Sequence, residues 1–257
     1  GRRLRRESAF TVGTRAVGLT LADLDRDGIL DLVVASPGDS ISVLRGNGDG
    51  SFRPRDSYPA GPIVLGVVPG DLNQDGWVDL ALINAEPGCC LPTNYLSILM
   101  GRGDGTFSPP VEMKGAGNAG AVVIGDVNAD SRPDLAVGCG LNYGPSWNNI
   151  SVLLGHGDGT FAPRIEVGAG QRWTGSPLVT ADLDGDGHLD LASGIGAGVA
   201  LMFGNGDGTF GPQARYETAR YPAVVKSADL NGDGKLDLVV GSRTSSAISV
   251  LPGKGAG

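Results

Sequence analysis

The chain has 257 residues, a net charge of −8 and a sequence pI near 4.7. Its length suits one large domain or two small ones, and its acidity argues against binding to the phosphate backbone of nucleic acid. No apolar run approaches ~20 residues, so no helical membrane span is expected, and three cysteines (Cys89, Cys90, Cys139) are too few for a disulfide framework.

The opening residues, Gly1-Arg2-Arg3-Leu4-Arg5-Arg6, lack the apolar core of a secretory signal. They fit a chain from which such a signal has been removed, or a stretch that begins after it. Arginines 2, 3, 5 and 6 read as charge on an edge strand, where it discourages aggregation. A strand-like run, Val17 to Ala22, follows. Next comes an acidic stretch, Asp23-Leu24-Asp25-Arg26-Asp27-Gly28-Ile29-Leu30-Asp31.

This stretch recurs four times, opening at Asp71, Asp126, Asp182 and Asp229, with steps of 47 to 56 residues between openings. Oxygen side chains stand at positions 1, 3, 5 and 9. They are Asp23, Asp25, Asp27 and Asp31; Asp71, Asn73, Asp75 and Asp79; Asp126, Asn128, Asp130 and Asp134. The last two sets are Asp182, Asp184, Asp186 and Asp190, then Asp229, Asn231, Asp233 and Asp237. Position 6 is Gly in four copies and Ser131 in the third. Ca²⁺ takes six to eight oxygens, and a short acidic loop supplies them from alternate residues. Position 7 holds Ile29, Trp77, Arg132, His188 and Lys235, a set united only by the backbone carbonyl each can offer. A plain turn needs one or two Asp, Asn or Gly residues. It has no need of a carboxylate at position 9, so about five Ca²⁺ sites are expected. They hold 17 of the 28 acidic residues, and five divalent ions would more than cancel the net charge. The flanks are short apolar runs such as Leu32 to Ala35, unlike the helices of an EF-hand.

A second signature follows each loop: Gly46 to Phe52, Gly101 to Phe107, Gly155 to Phe161 and Gly204 to Phe210, with a worn copy at Gly253 to Gly257. In the first unit the strand-like runs are Val17 to Ala22, Leu32 to Ala35, Ile41 to Leu44 and Phe52 to Tyr58. Each is strand length and bounded by Gly, Asp or Pro. Pro54, Pro109, Pro163 and Pro212 mark the fourth run as an outer edge, because proline removes a ladder donor. Four antiparallel strands per repeat, arranged about a circle, make an all-β propeller, here one domain over residues 1–257. Leu4 to Phe10 falls where an outer strand would precede the first loop, with Phe10 in the place of Tyr58. It is expected to pair with the last unit and close a ring of five blades.

The alternation of Asp-x-Asp/Asn-x-Asp-Gly-x-x-Asp-Leu with Gly-x-Gly-Asp-Gly-Thr-Phe resembles the FG-GAP/VCBS repeat family. The resemblance implies blades similar to the integrin α-subunit head, with Ca²⁺ between the first two strands of a blade. Ser131 departs from the pattern and is expected to weaken the third site. Five repeats instead of the family's usual seven leave a second possibility, a piece of a seven-bladed propeller.

Strand parity puts the metal loops on one face and the irregular segments, Asn84 to Asn94 and Gly138 to Asn149, on the other. Those segments and the crossovers carry Tyr95, Asn142, Tyr143, Trp147, Asn148, Asn149, Arg172, Trp173, Arg220 and Tyr221. Aromatic faces beside amide and guanidinium donors suit sugar rings. The competing use of these aromatics is packing between blades. The expected function is therefore an extracellular or periplasmic Ca²⁺-stabilised module that binds glycans. The alternatives are a protein-binding adhesion propeller and a polysaccharide lyase, although no acid–base pair or nucleophile motif stands outside the metal loops. Arg102-Gly103-Asp104 spells an adhesion tripeptide, but its siblings have Asn or His in place of Arg, which makes Arg102 a variable turn residue. Both histidines, His156 and His188, sit in repeat turns and suggest no zinc site. A bridge from Cys89 or Cys90 to Cys139 would join the two longest loops. A vicinal bridge or three free thiols are the alternatives.

Overall fold

The computed structural model describes residues 9–13, 15–86, 94–113, 119–139, 149–168 and 177–255. They form five antiparallel sheets, and no helix occurs among them. Sheet 1 is β1 (Gly18–Ala22), β2 (Asp31–Ala35), β3 (Ser40–Leu44) and β4 (Asp56–Pro59). Sheet 2 is β5 (Val64–Gly70), β6 (Asp79–Ala85), β7 (Asn94–Leu99) and β8 (Val111–Met113). Sheet 3 is β9 (Ala119–Gly125), β10 (Asp134–Cys139), β11 (Asn149–Leu153) and β12 (Ile165–Gly168). Sheet 4 is β13 (Leu178–Ala181), β14 (Asp190–Ile195), β15 (Gly198–Met202) and β16 (Ala214–Glu217). Sheet 5 has three strands, β17 (Pro222–Ala228), β18 (Asp237–Ser242) and β19 (Ile248–Leu251). Within each sheet the strands pair in chain order, as blades of a propeller do.

The register locates the acidic loops. Each occupies the turn between the first two strands, and its ninth residue opens the second strand. Ala22 pairs with Asp31, Gly70 with Asp79, Gly125 with Asp134, Ala181 with Asp190 and Ala228 with Asp237.

The second strand is buried on both faces, and its period of two divides it between neighbours. In β6, Leu80 and Leu82 belong to the core shared with sheet 1, while Ala81 and Ile83 belong to the core shared with sheet 3. Four such cores join consecutive sheets. Each uses the same repeat positions. The residue at loop position 2 (Leu24, Leu72, Val127, Leu183) packs toward the following sheet. The residue after the ninth (Leu80, Leu135, Leu191, Leu238) packs toward the preceding one. A fully buried side chain of this size contributes about 1.5–3 kcal/mol, so these contacts hold the sheets together.

Repeat positions that are covered between sheets are exposed at the two ends. Leu230, at loop position 2 of the fifth unit, is 55% exposed, and Leu30, at position 8 of the first, is 56% exposed. Their counterparts Leu72 and Leu183 are buried, and Val78, Leu189 and Leu236 pack on the cores. Leu19 and Leu21 on sheet 1 and Val224, Ile248 and Val250 on sheet 5 are exposed in the same way.

Two expectations change, and a third falls mostly outside the described residues. The run Phe52 to Tyr58 is split: Phe52 makes an isolated bridge to Gly46, and the ladder starts again only at Asp56. Pro54 lies in the gap, where its missing N–H costs no ladder bond. Asn84 is not in an irregular segment but is buried in β6, where its side-chain NH₂ donates to the Ala60 carbonyl (2.6 Å) and its Oδ1 accepts from Ser97 Oγ (2.7 Å). Finally, residues 4–8 of the stretch expected to close the ring lie outside the described residues; among the described ones, residues 9–13 pair with no strand of the last sheet and no core joins sheet 5 to sheet 1. Instead Phe10 packs edge-on against Phe52 with ring centroids 5.2 Å apart, and Ser42 Oγ donates to the Val12 carbonyl (2.9 Å). Tyr58 meets Phe107 in the same edge-on way at 5.4 Å. Phe10 thus stands to sheet 1 as Tyr58 stands to sheet 2.

Candidate metal centre

Each acidic loop builds itself around its own carboxylates. At position 1, Asp23 accepts from the N–H groups of Asp27 (3.2 Å) and Gly28 (2.9 Å). Asp71, Asp126, Asp182 and Asp229 accept likewise from their own loops, each from the residue at position 6. At position 5, Asp27, Asp75, Asp130, Asp186 and Asp233 each accept from the N–H at position 7, at 2.8–2.9 Å.

The chain can bend this tightly because positions 4 and 6 both adopt the left-handed conformation. At position 6, Gly28, Gly76, Gly187 and Gly234 have φ between 80° and 91°, and Ser131 has φ 65°. The positive φ expected of Ser131 is therefore present, at a cost of roughly 1–2 kcal/mol for a residue with a Cβ. The sequence reading missed position 4, where Arg26, Gln74 and Ala129 have φ of 58–59°. The available signal was Gly185 and Gly232 at that position in the fourth and fifth loops. Position-4 side chains also tie neighbouring loops together. The Arg26 guanidinium lies 4.3 Å from the centre of the Trp77 ring, and Gln74 Nε2 donates to the Ser131 carbonyl (2.6 Å).

Position 9 has a structural task in every loop. Asp79 Oδ2 accepts from the Leu72 N–H (2.8 Å) and Oδ1 from the Gly101 N–H (2.7 Å). Asp31, Asp134, Asp190 and Asp237 make the same pair of bonds, to position 2 and to the first glycine of the second signature. One carboxylate thus links the first turn of a sheet to the turn between its third and fourth strands. Burial pushes the Asp31, Asp79, Asp134 and Asp190 carboxyls above the ordinary range, and the two backbone donors oppose that rise. The partner glycine must be glycine. A Cβ at Gly46, Gly101, Gly155, Gly204 or Gly253 would lie 2.1–2.5 Å from the carbonyl oxygen at loop position 8. The worn fifth signature therefore keeps the residue that matters for this contact.

Two observations test whether the loops suit a cation. Asp25 Oδ1 and Asp71 Oδ1 are buried and accept no hydrogen bond. Asp23, Asp25 and Asp27 in the first loop, and Asp182, Asp184 and Asp190 in the fourth, bring carboxylate oxygens within 4.8 Å of one another. A buried carboxylate oxygen without a donor is costly unless a positive charge faces it, so these loops fit a metal ion. In the other three loops, position 3 is Asn73, Asn128 or Asn231. Its NH₂ group donates to the position-5 carboxylate at 2.9–3.1 Å.

Of the residues expected on the opposite face, Asn142, Tyr143, Trp147, Asn148, Arg172 and Trp173 lie outside the described residues. Tyr95 lies in β7 opposite Asn84, and Arg220 and Tyr221 immediately precede β17. All three stand at the strand ends remote from the acidic loops, Tyr95 on sheet 2 and Arg220 and Tyr221 beside sheet 5. Cys139 is buried at the end of β10, its Sγ 3.5 Å from Ser151 Oγ. Cys89 and Cys90 lie outside the described residues, as does any bridge made through them.

The model of the FG-GAP-like repeat matches residues 23–82, 140–193 and 190–240. The chain belongs to the FG-GAP-like repeat family. A search of curated protein sequences gives no match for this FG-GAP-like chain. Among solved structures, the V. cholerae biofilm matrix protein Bap1 is similar at 19% identity and TM-score 0.52, over 95% of this chain and 39% of Bap1. That likeness concerns the fold alone. An Agrocybe aegerita lectin described as recognising non-reducing terminal N-acetylglucosamine is similar at 18% identity and TM-score 0.48, over 95% of this chain and 81% of the lectin. The Photorhabdus luminescens Tc holotoxin pore is similar at 19% identity and TM-score 0.46, over 93% of this chain and 11% of that one.

Proposed function

We propose that this FG-GAP-like chain is an extracellular binding module, stabilised by Ca²⁺ in its acidic loops, that recognises glycans at the ends of the sheets away from those loops. Positions 1, 3 and 5 of each loop would hold the ion through side-chain oxygens, position 7 through its carbonyl, and position 9 where its oxygens face inward. The ion would supply positive charge to carboxylates such as Asp25 and Asp71, whose buried oxygens have no other partner.

Tyr221 carries the glycan reading. It is 44% exposed yet has φ 55°, a conformation that costs a residue with a side chain about 1–2 kcal/mol. It is held there because its N–H donates to the Gly196 carbonyl (3.2 Å) and its carbonyl accepts from the Arg243 N–H (2.9 Å). Strain maintained at an exposed aromatic next to an exposed arginine, Arg220, is the mark of a presented side chain. An aromatic face beside a guanidinium suits the apolar face and hydroxyl edge of a sugar ring. The Agrocybe lectin has a saccharide ligand by its description, and that is an analogy only. The reading assigns no catalytic residue.

A glycan array probed with the Ca²⁺-loaded protein tests it. Binding to a defined set of saccharides, lost in Tyr221→Ala, is expected. An array with no signal in Ca²⁺, or signal unchanged in Tyr221→Ala, would overturn it in favour of a protein partner.

A further inference from the structure

The five acidic loops share one backbone course but differ at position 3, and that residue decides how well each loop satisfies itself without an ion. In the second, third and fifth loops position 3 is Asn73, Asn128 or Asn231. Each NH₂ group donates to the position-5 carboxylate at 2.9–3.1 Å, while each Oδ1 accepts from the position-5 N–H at 2.8–3.1 Å. Both oxygens of Asp75, Asp130 and Asp233 therefore have a donor, Oδ2 from the amide and Oδ1 from the N–H at position 7. In the third loop Arg132 adds a guanidinium 4.0 Å from Asp130. The amide N–H does for these carboxylates part of what a cation would do.

In the first and fourth loops position 3 is Asp25 or Asp184, and an ionised carboxylate has no hydrogen to give. Asp27 and Asp186 accept from the N–H at position 7, but position 3 offers them nothing. Asp25 Oδ1 is buried and accepts no hydrogen bond. Carboxylate oxygens of Asp23, Asp25 and Asp27, and of Asp182, Asp184 and Asp190, lie within 4.8 Å of one another, a convergence that no other loop shows among the described residues. Like charges so close repel, the more so where water is partly excluded.

We propose, on the reading of these loops as Ca²⁺ sites, that Asp25 and Asp184 divide them into two classes: two tight sites, in the first and fourth loops, and three weaker ones. Ligand charge tunes the affinity of oxygen-donor loops, and four carboxylates stand in each tight loop against three in each asparagine loop. The starting state acts in the same direction. A cation entering the first or fourth loop relieves repulsion already present. A cation entering an asparagine loop must first draw the position-5 oxygen away from the amide N–H. Two ions therefore stay bound at Ca²⁺ concentrations that leave the other three loops empty. The carboxylates that strengthen binding also weaken the ion-free chain, so a substitution at position 3 moves ion-free stability and ion affinity in opposite directions.

Calorimetric Ca²⁺ titration is expected to show two equivalents bound about tenfold or more tighter than the other three. Asp25→Asn combined with Asp184→Asn should abolish the tight class, and Asn73→Asp should add a third equivalent to it. Thermal melts give a readout that simple loss of a ligand would not move. In EDTA the Asp25→Asn chain should melt above the parent and the Asn73→Asp chain below it, and saturating Ca²⁺ should remove the advantage of Asp25→Asn. Five equivalent sites, a tight class that survives in the double variant, or an Asp25→Asn chain that melts below the parent in EDTA would each overturn the division while leaving Ca²⁺ binding itself standing. A parent chain with no heat of binding and the same melting temperature in Ca²⁺ and in EDTA would overturn the Ca²⁺ reading and the division with it.

Discussion

Replacing Asp79 by alanine is expected to cost more than replacing any other oxygen donor of the second loop, and to do so without metal. The Asp79 carboxylate is fully buried, and its two oxygens accept from the Leu72 and Gly101 N–H groups at 2.8 and 2.7 Å. Truncation leaves two buried donors unsatisfied, at about 1–3 kcal/mol each. Relief from burying a charge offsets part of that loss, since burial is the largest influence on this carboxyl and raises its pKa. The expected net cost is roughly 2–4 kcal/mol. Asp75→Ala removes an exposed carboxylate that accepts from the Trp77 N–H and the Asn73 NH₂ group, both near solvent, so its cost in chelator should stay below ~1 kcal/mol. Denaturant unfolding of both variants and the parent, each in EDTA and in Ca²⁺, separates the two roles. Asp79→Ala should be destabilised in both conditions, whereas Asp75→Ala should mainly lose the increment that Ca²⁺ adds. An Asp79→Ala variant within ~1 kcal/mol of the parent in EDTA would show that position 9 is not the tie described above.

Four other outcomes are expected. Ca²⁺ should raise the melting temperature and EDTA lower it, with about 2.7 kcal/mol per site at a hundredfold excess over Kd; identical calorimetric scans would exclude the metal. Gly101→Ala puts a Cβ 2.2 Å from the Val78 carbonyl oxygen and should destabilise by about 1–3 kcal/mol in denaturant melts, with or without metal. Ser131→Gly relieves a φ of 65° and should stabilise by about 1 kcal/mol while tightening the third site, as read by Ca²⁺ titration. The Asp158 carboxyl is held below its ordinary pKa, first by the Thr160 hydroxyl (2.5 Å) and then by the Thr160 N–H. A depressed folded-state pKa gives stability that is present above the unfolded value and lost as pH falls through the folded one. Thr160→Ala should therefore move the Asp158 titration, followed by NMR, upward toward the ordinary value and weaken that acid dependence.

The loops were legible because a cation site and a tight turn both fix residue types at fixed spacing. Asp at 1, 5 and 9 with Gly at 6 could be read directly, and the strand runs between them set the sheet order. Position 4 was opaque because Arg26, Gln74 and Ala129 adopt positive φ without a glycine to advertise it. The double duty of Asp79 was opaque for another reason. An oxygen that accepts two N–H groups and one that faces an ion demand the same residue, and only the contact with Gly101 distinguishes them. Asn84 and Asn94 looked like loop residues because amides favour turns. In the fold each is buried and spans to another segment, Asn84 to Ala60 and Asn94 to the Ala119 carbonyl. The equivalence of Phe10 and Tyr58 is seen in their matching edge-on contacts with Phe52 and Phe107, while most of the strand expected around Phe10 lies outside the described residues. Spacing along a repeat gives a residue's place within a unit but not which unit lies beside it.

The shared positions of the inter-sheet cores bear on how such a chain changes through evolution. Sheets 2, 3 and 4 each offer a phenylalanine to the core shared with the sheet before, among leucines and valines at the same repeat positions. Removing or duplicating one unit of 47 to 56 residues in the gene would bring two surfaces together that already match. No compensating substitution would be needed at the new junction, because stability in such arrays comes from each unit and its nearest neighbours. Unequal recombination can therefore lengthen or shorten this architecture in a single step, while the loops at the far strand ends diverge independently.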